Sequence, residues 1–95
     1  MDAGNSASDN GRMNEAALFH LERRDASRNM KRFYRLSVER DLFGETLLIR
    51  EWGRIGKQGR RREEPHANPD TAHRAAVALA RSKRRRGYVE IAGGA

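Results

Sequence analysis

The sequence predicts an α+β domain: a small antiparallel β-sheet with one main α-helix packed across it. Three observations predict it. Residues 32–41 alternate, with Tyr34, Leu36 and Val38 on one side and Arg35, Ser37 and Glu39 on the other, the period-two pattern of a half-buried strand. A glycine-bearing connection, Asp41-Leu-Phe-Gly44, leads from it into a second strand pattern over Thr46–Arg54, as a hairpin requires. Finally, Asn68-Pro69-Asp70 opens a stretch in which Ala72, Ala75, Ala76, Leu79 and Ala80 recur at helical spacing.

A chain of 95 residues suits one small domain with a modest core, which leaves little room for a deep catalytic cavity. It has no cysteine, and His20, His66 and His73 lack metal-ligand spacing, so neither a metal nor a cofactor is expected. No apolar run approaches the roughly 20 residues that span a bilayer, and the N-terminus lacks a secretory pattern, so the expected setting is cytoplasmic. The net charge is +7, and its distribution is uneven: residues 1–30 carry four cations against five acids. Residues 54–62 and 81–86 each hold five cations and no acid. Such clusters favour anionic partners, although solubility alone also accounts for a basic balance.

In chain order, residues 1–14 read as a disordered leader, 15–92 as the domain and 93–95 as a frayed terminus. Ala16–Asp25 reads as a strand or one short helix; as a strand it places Phe19, Leu21 and Arg23 on the better core face and leaves His20 toward solvent. Ser27–Lys31, with Asn29, suits a turn. Phe33 falls on the polar side of the next strand, where it covers a neighbouring strand or marks an edge. On Thr46–Arg54, Leu47 and Ile49 share one face, and Leu48, Arg50, Trp52 and Arg54 the other.

Gly53, Gly56 and Gly59 lack the order of a nucleotide-binding glycine loop, and Gly56–Gly59 is expected to form a tight turn that holds Lys57 in solvent. A strand over Arg60–His66 follows from topology more than from alternation. Asn68 caps the helix, Pro69 fits its first position and Asp70 opposes its positive end. Leu79 is the expected main anchor on a narrow alanine stripe. Lys83, Arg84, Arg85 and Arg86 close the helix with more cations than its dipole asks for, Gly87 is placed to cap it, and Tyr88–Ile91 offers a short closing strand.

The stretch Arg50-Glu-Trp-Gly-Arg-Ile-Gly-Lys-Gln-Gly-Arg-Arg-Arg62 holds the sole tryptophan, three glycines and six cations. An indole stacks on sugars and bases, and a guanidinium forks onto phosphate oxygens. Trp52 and Arg54 would share one face of a strand. From these residues alone, Trp52 serves equally well as a core residue or as a contact residue.

The chain resembles the WGR domain family. The likeness lies in Phe33-Tyr-Arg-Leu-Ser-Val38, in Arg50-Glu-Trp-Gly-Arg-Ile-Gly56 with Gly59 after it, in the alanine-rich helix, and in Lys83-Arg-Arg-Arg-Gly-Tyr88. The resemblance implies an antiparallel sheet with one helix across it. It also implies DNA binding: in poly(ADP-ribose) polymerases a similar domain packs its Trp on a terminal sugar beside an Arg, the positions of Trp52 and Arg54 here. This chain looks more like the short, stand-alone bacterial members.

The resulting expectation is a non-enzymatic nucleic-acid-binding module that prefers DNA ends, nicks or single strands and reads little sequence. Its contacts would be Trp52, Gly53, Arg54, Lys57, Arg60, Arg61 and Arg62, with Arg50, Lys83, Arg84, Arg85 and Arg86 in support. RNA is a further candidate ligand. The alternative is a protein-interaction module that docks an acidic partner or a separately encoded enzyme. Asp41, Glu45, Glu51, Glu63 and Glu64 read as charge balance rather than as a general acid and base.

Overall fold

A computed structural model describes residues 17–91; the expected leader at 1–14 and the terminus at 93–95 lie outside the described residues. The strand-or-helix alternative over 16–25 resolves to a strand, β1 (Phe19–Asp25), antiparallel to β2 (Met30–Arg40). β2 begins two residues before its expected start because the connection is tighter than a polar loop need be. Asn29 adopts a left-handed φ of 53° and closes a single 3-10 turn, Ala26–Arg28, while the Asp25 carboxylate accepts from the Ser27 amide. Met30 is thereby free to pair with Asp25.

The hairpin to β3 (Thr46–Arg54) is held by one side chain: Asp41 Oδ1 accepts from the amides of Phe43 and Glu45, each at 2.9 Å. Arg54–Lys57 then forms the next tight turn, with Gly56 at a φ of 88° in its third position and Lys57 N donating to Arg54 O at 2.9 Å. This turn sits two residues earlier than the expected Gly56–Gly59, because Gly59 is needed elsewhere, under Trp52. β4 (Arg60–His66), helix α1 (Pro69–Arg85) and β5 (Val89–Glu90) complete the chain, and the five strands lie in the order β4-β3-β2-β1-β5 with every neighbour antiparallel.

The helix crosses one face of this sheet. Leu21, Tyr34, Leu36 and Leu48 point to it and are buried against Ala72, Ala76 and Ala80. Each such leucine contributes on the order of 1.5–3 kcal/mol by leaving water. Leu79, the expected anchor, is only partly buried and packs on the flank of the cluster. The three alanines, four residues apart, let the helix lie close to the sheet, and that closeness rather than one large side chain makes the contact.

The opposite face carries a charge ladder. Arg35 lies 3.5 Å from Glu51, and Arg61 lies 3.5 Å from Glu51 and 3.0 Å from Glu63. Phe33 is buried on this face with the Arg35 guanidinium 4.9 Å over its ring; it covers Gly53 of the neighbouring strand, and Gly59 beside it, as its place on the polar side allowed.

At the helix start Asn68 Oδ1 accepts from Thr71 N at 2.9 Å. Asn68→Ala should therefore cost about 1 kcal/mol, seen in thermal unfolding as a midpoint lowered by roughly 4–8 °C.

Candidate functional site

The site forms where β3 ends beside the last turn of α1. The helix stops in a Schellman arrangement: Tyr88 N donates to Lys83 O at 3.1 Å and Gly87 N to Arg84 O at 3.0 Å, with Gly87 at a φ of 97°. The reversal brings Tyr88 back over the sheet beside Lys83, while register places Trp52 opposite Tyr34. Arg32, Trp52, Gly53, Arg54, Lys83 and Tyr88 line a concavity of about 290 Å³ between them. None of the six is acidic.

Two aromatic surfaces frame it. Tyr34 and Tyr88 meet edge to face with centroids 6.4 Å apart, and Lys83 Nζ lies 4.6 Å from the Tyr34 ring centroid and 5.5 Å from that of Tyr88. Trp52 is half-buried against the core cluster, so the ring serves both packing and the concavity. Behind it Arg50 is committed to structure: its guanidinium lies 5.7 Å over the Trp52 ring, donates to Tyr34 Oη at 3.1 Å and pairs with Glu64 at 2.8 Å. Burial works against the charge on Arg50, but the hydrogen bonds to Glu64 and Tyr34 outweigh it and hold the pKa above the ordinary guanidinium value.

The cations at the rim are differently placed. Arg23 faces Arg32 across β1 and β2, and Arg32 faces Arg54 across β2 and β3, so three guanidiniums stand in a row on the helix-bearing face. Arg54 donates to Asn29 O at 3.1 Å. Among the described residues no carboxylate forms an ion pair with Arg23, Arg32, Arg54 or Lys83. Burial, followed by the positive charges of Arg86, Arg50 and Arg32, lowers the Lys83 pKa from its ordinary value. Like charges directly opposed destabilise a sheet, and this row is suited to hold an anion that relieves the repulsion.

Of the residues singled out from sequence, Trp52, Gly53, Arg54 and Lys83 come together in the concavity. Arg60 stands opposite Trp52 on the same face, and Lys57 is exposed in the turn just beyond. Arg62 shares that face opposite Arg50 and lies 3.4 Å from Glu64. Arg61 points to the far face, into the ladder with Glu51 and Glu63. Arg84 pairs with Glu90 and lies over Phe19, while Arg85 and Arg86 are exposed at the helix end. Sequence reasoning missed Arg32 and Tyr88 at the site, and Arg23 beside it. The alternation already put Arg23 with Leu21; the strand register, which sequence does not print, was the missing signal.

Fold and site define a small antiparallel α+β domain with an acid-free, cationic, aromatic-walled concavity at one end of its sheet. The model of the WGR domain matches residues 18–95, and the chain belongs to the WGR domain family. WGR is a binding domain rather than a catalytic one, of the nucleic-acid-binding type found in poly(ADP-ribose) polymerase-like proteins. The chain is 45% identical over 69 residues to the uncharacterized protein y4dW of Sinorhizobium fredii (strain NBRC 101917 / NGR234), a match covering 73% of this chain and 34% of that relative. The chain thus spans about a third of the relative's length. No solved structure matches it. No helix among the described residues is long and apolar enough to cross a membrane.

Proposed function

We propose that the chain is a non-enzymatic DNA-binding module of the cytoplasm that receives a backbone phosphate on the Arg32–Arg54 row and packs the adjoining sugar on Trp52. The supporting observation is the acid-free lining of the concavity, three cations beside two aromatic rings. A guanidinium pairs with phosphate through two parallel hydrogen bonds, and an indole gives a sequence-blind apolar plate. Arg60, exposed opposite Trp52, and Lys57, exposed in the turn just beyond, extend the cationic track, and Arg85 and Arg86 provide a second backbone contact from the helix end. Arg50 holds the Trp52 ring in place, and Arg61, Arg62 and Arg84 add field rather than direct contacts, since each already has a carboxylate partner. A ring that must meet a sugar or base face favours DNA ends, nicks and single strands over intact duplex.

A salt titration of binding to intact duplex, nicked duplex, single-stranded DNA and RNA tests this. Affinity should fall steeply with salt for all four, with the nicked and single-stranded DNAs bound more tightly than the intact duplex. Binding to none of them at low salt removes the proposal and leaves an acidic protein as the partner for this rim. Equal or tighter binding of RNA would reassign the ligand.

A further inference from the structure

Lys31, Lys57 and Lys83 are the chain's three lysines, among seventeen arginines. Lys31 and Lys57 are exposed. Lys83 alone lines the concavity, its nitrogen set against the faces of Tyr34 and Tyr88, with Trp52 among the residues that line it. Within the concavity an amine stands beside two arginines, Arg32 and Arg54, at a position where a guanidinium would have gripped phosphate better. What a lysine has and an arginine lacks is a nitrogen that can lose its proton and act as a nucleophile.

We infer that Lys83 is a nucleophilic amine that captures the aldehyde of an abasic deoxyribose as a reversible imine. The inference rests on the reading of the concavity as a DNA site. Its volume, about 290 Å³, is at the small end for a ligand site and suits a single sugar-phosphate unit rather than a whole nucleotide. An abasic deoxyribose in its ring-opened form is such a unit with an aldehyde at C1′. With its phosphate on Arg32 and Arg54, the sugar lies between Trp52 and Tyr88, within the same small concavity as Lys83. The neutral amine attacks C1′ and the C–N bond forms; the nitrogen gives up its two protons to the former carbonyl oxygen, the C–O bond breaks and the oxygen leaves as water, with no oxidant or reductant consumed. Lysine imines with carbonyl groups form where the amine is desolvated or crowded by other cations; Lys83 shares the concavity with Arg32 and Arg54, and burial, then Arg86, Arg50 and Arg32, shift its pKa downward, the direction that favours the amine. Capture holds the protein on the lesion without turnover.

The test is borohydride trapping, which reduces an imine to a stable secondary amine, on a duplex oligonucleotide carrying one abasic site. The wild-type chain is expected to give a covalent adduct on a denaturing gel, mapping to Lys83 by peptide mass. Lys83→Arg should lose the adduct while its circular dichroism stays that of the wild type; Lys31→Arg, outside the concavity, should keep both the adduct and the binding of a duplex carrying the tetrahydrofuran analogue, which has no aldehyde. Tetrahydrofuran duplex bound by the wild type without any borohydride adduct overturns the inference and leaves the DNA reading standing. An adduct that survives in Lys83→Arg, or maps to another amine, overturns it as well. Failure of the wild type to bind the tetrahydrofuran duplex overturns the inference, and the DNA reading falls with it only where nicked and single-stranded DNA go unbound as well.

Discussion

Replacing Gly59 with alanine is expected to destabilise the domain by about 3 kcal/mol, the sum of a left-handed backbone penalty and an overpacking penalty. Gly59 has a φ of 75°, and a Cβ added there would sit 2.5 Å from Trp52 O and 2.8 Å from Phe33 Cζ. One neighbour is backbone and the other is a buried ring, so neither can yield cheaply. Thermal unfolding should show the midpoint falling by roughly 15 °C. Gly44→Ala separates the two causes. Its φ of 81° is as unfavourable for alanine, but nothing lies within 4 Å of the added methyl, so it should cost only about 1–2 kcal/mol. Equal losses for the two variants would mean that the close approach under Trp52 carries no energy. The same approach brings Gly53 against Gly59, where an added Cβ would meet Gly59 Cα at 2.6 Å. Gly53 and Gly59 are thus read best as a glycine-to-glycine contact that seats the end of β3, and Gly56 as the turn residue between them.

The elements that were legible in the sequence are those whose signal is local. Alternation in β2 and β3, the Asn68 cap and the alanine stripe all depend on residues within one element; β3 and the cap appear where the pattern puts them, β2 differs only at its ends, and Ala72, Ala76 and Ala80 of the stripe are the buried ones. The faces were legible too: Leu48, Arg50, Trp52 and Arg54 do share the helix-bearing side. What local pattern could not supply was pairing between distant segments. Arg60, Arg61 and Arg62 look like one basic run, yet on a strand the middle residue points away from the other two, and Arg61 joins Glu51 and Glu63 on the far face. Conversely, Arg23, Arg32 and Arg54 are scattered along the chain and become a row only when β1, β2 and β3 fall into register. Tyr88 joins the site through the helix-ending reversal at Gly87, and nothing in its immediate neighbours marks it as a partner of Lys83.

That row gives the second large effect. The double variant Arg32→Gln, Arg54→Gln is expected to weaken DNA binding by about a hundredfold or more, since each lost charge-assisted hydrogen-bond contact costs roughly 1.5–3 kcal/mol and 1.4 kcal/mol is a factor of ten. The slope of log affinity against log salt should become shallower by about 2, one for each phosphate contact removed. Stability should move the other way or not at all. Removing like charges that face each other across β2 and β3 gains about 0.2–1 kcal/mol, offset by the loss of the exposed Arg54 hydrogen bond to Asn29 O. A residue kept for the fold loses stability when it is replaced, whereas a residue kept for a ligand loses binding alone, so the two measurements together separate the roles. Arg61→Gln is the control for each single substitution: like Arg32→Gln or Arg54→Gln alone it removes one charge from the net total, but from the far face and from between Glu51 and Glu63. If Arg61→Gln weakens binding as much as either rim substitution does, net charge rather than the concavity drives the interaction, and the site has been put on the wrong face of the sheet.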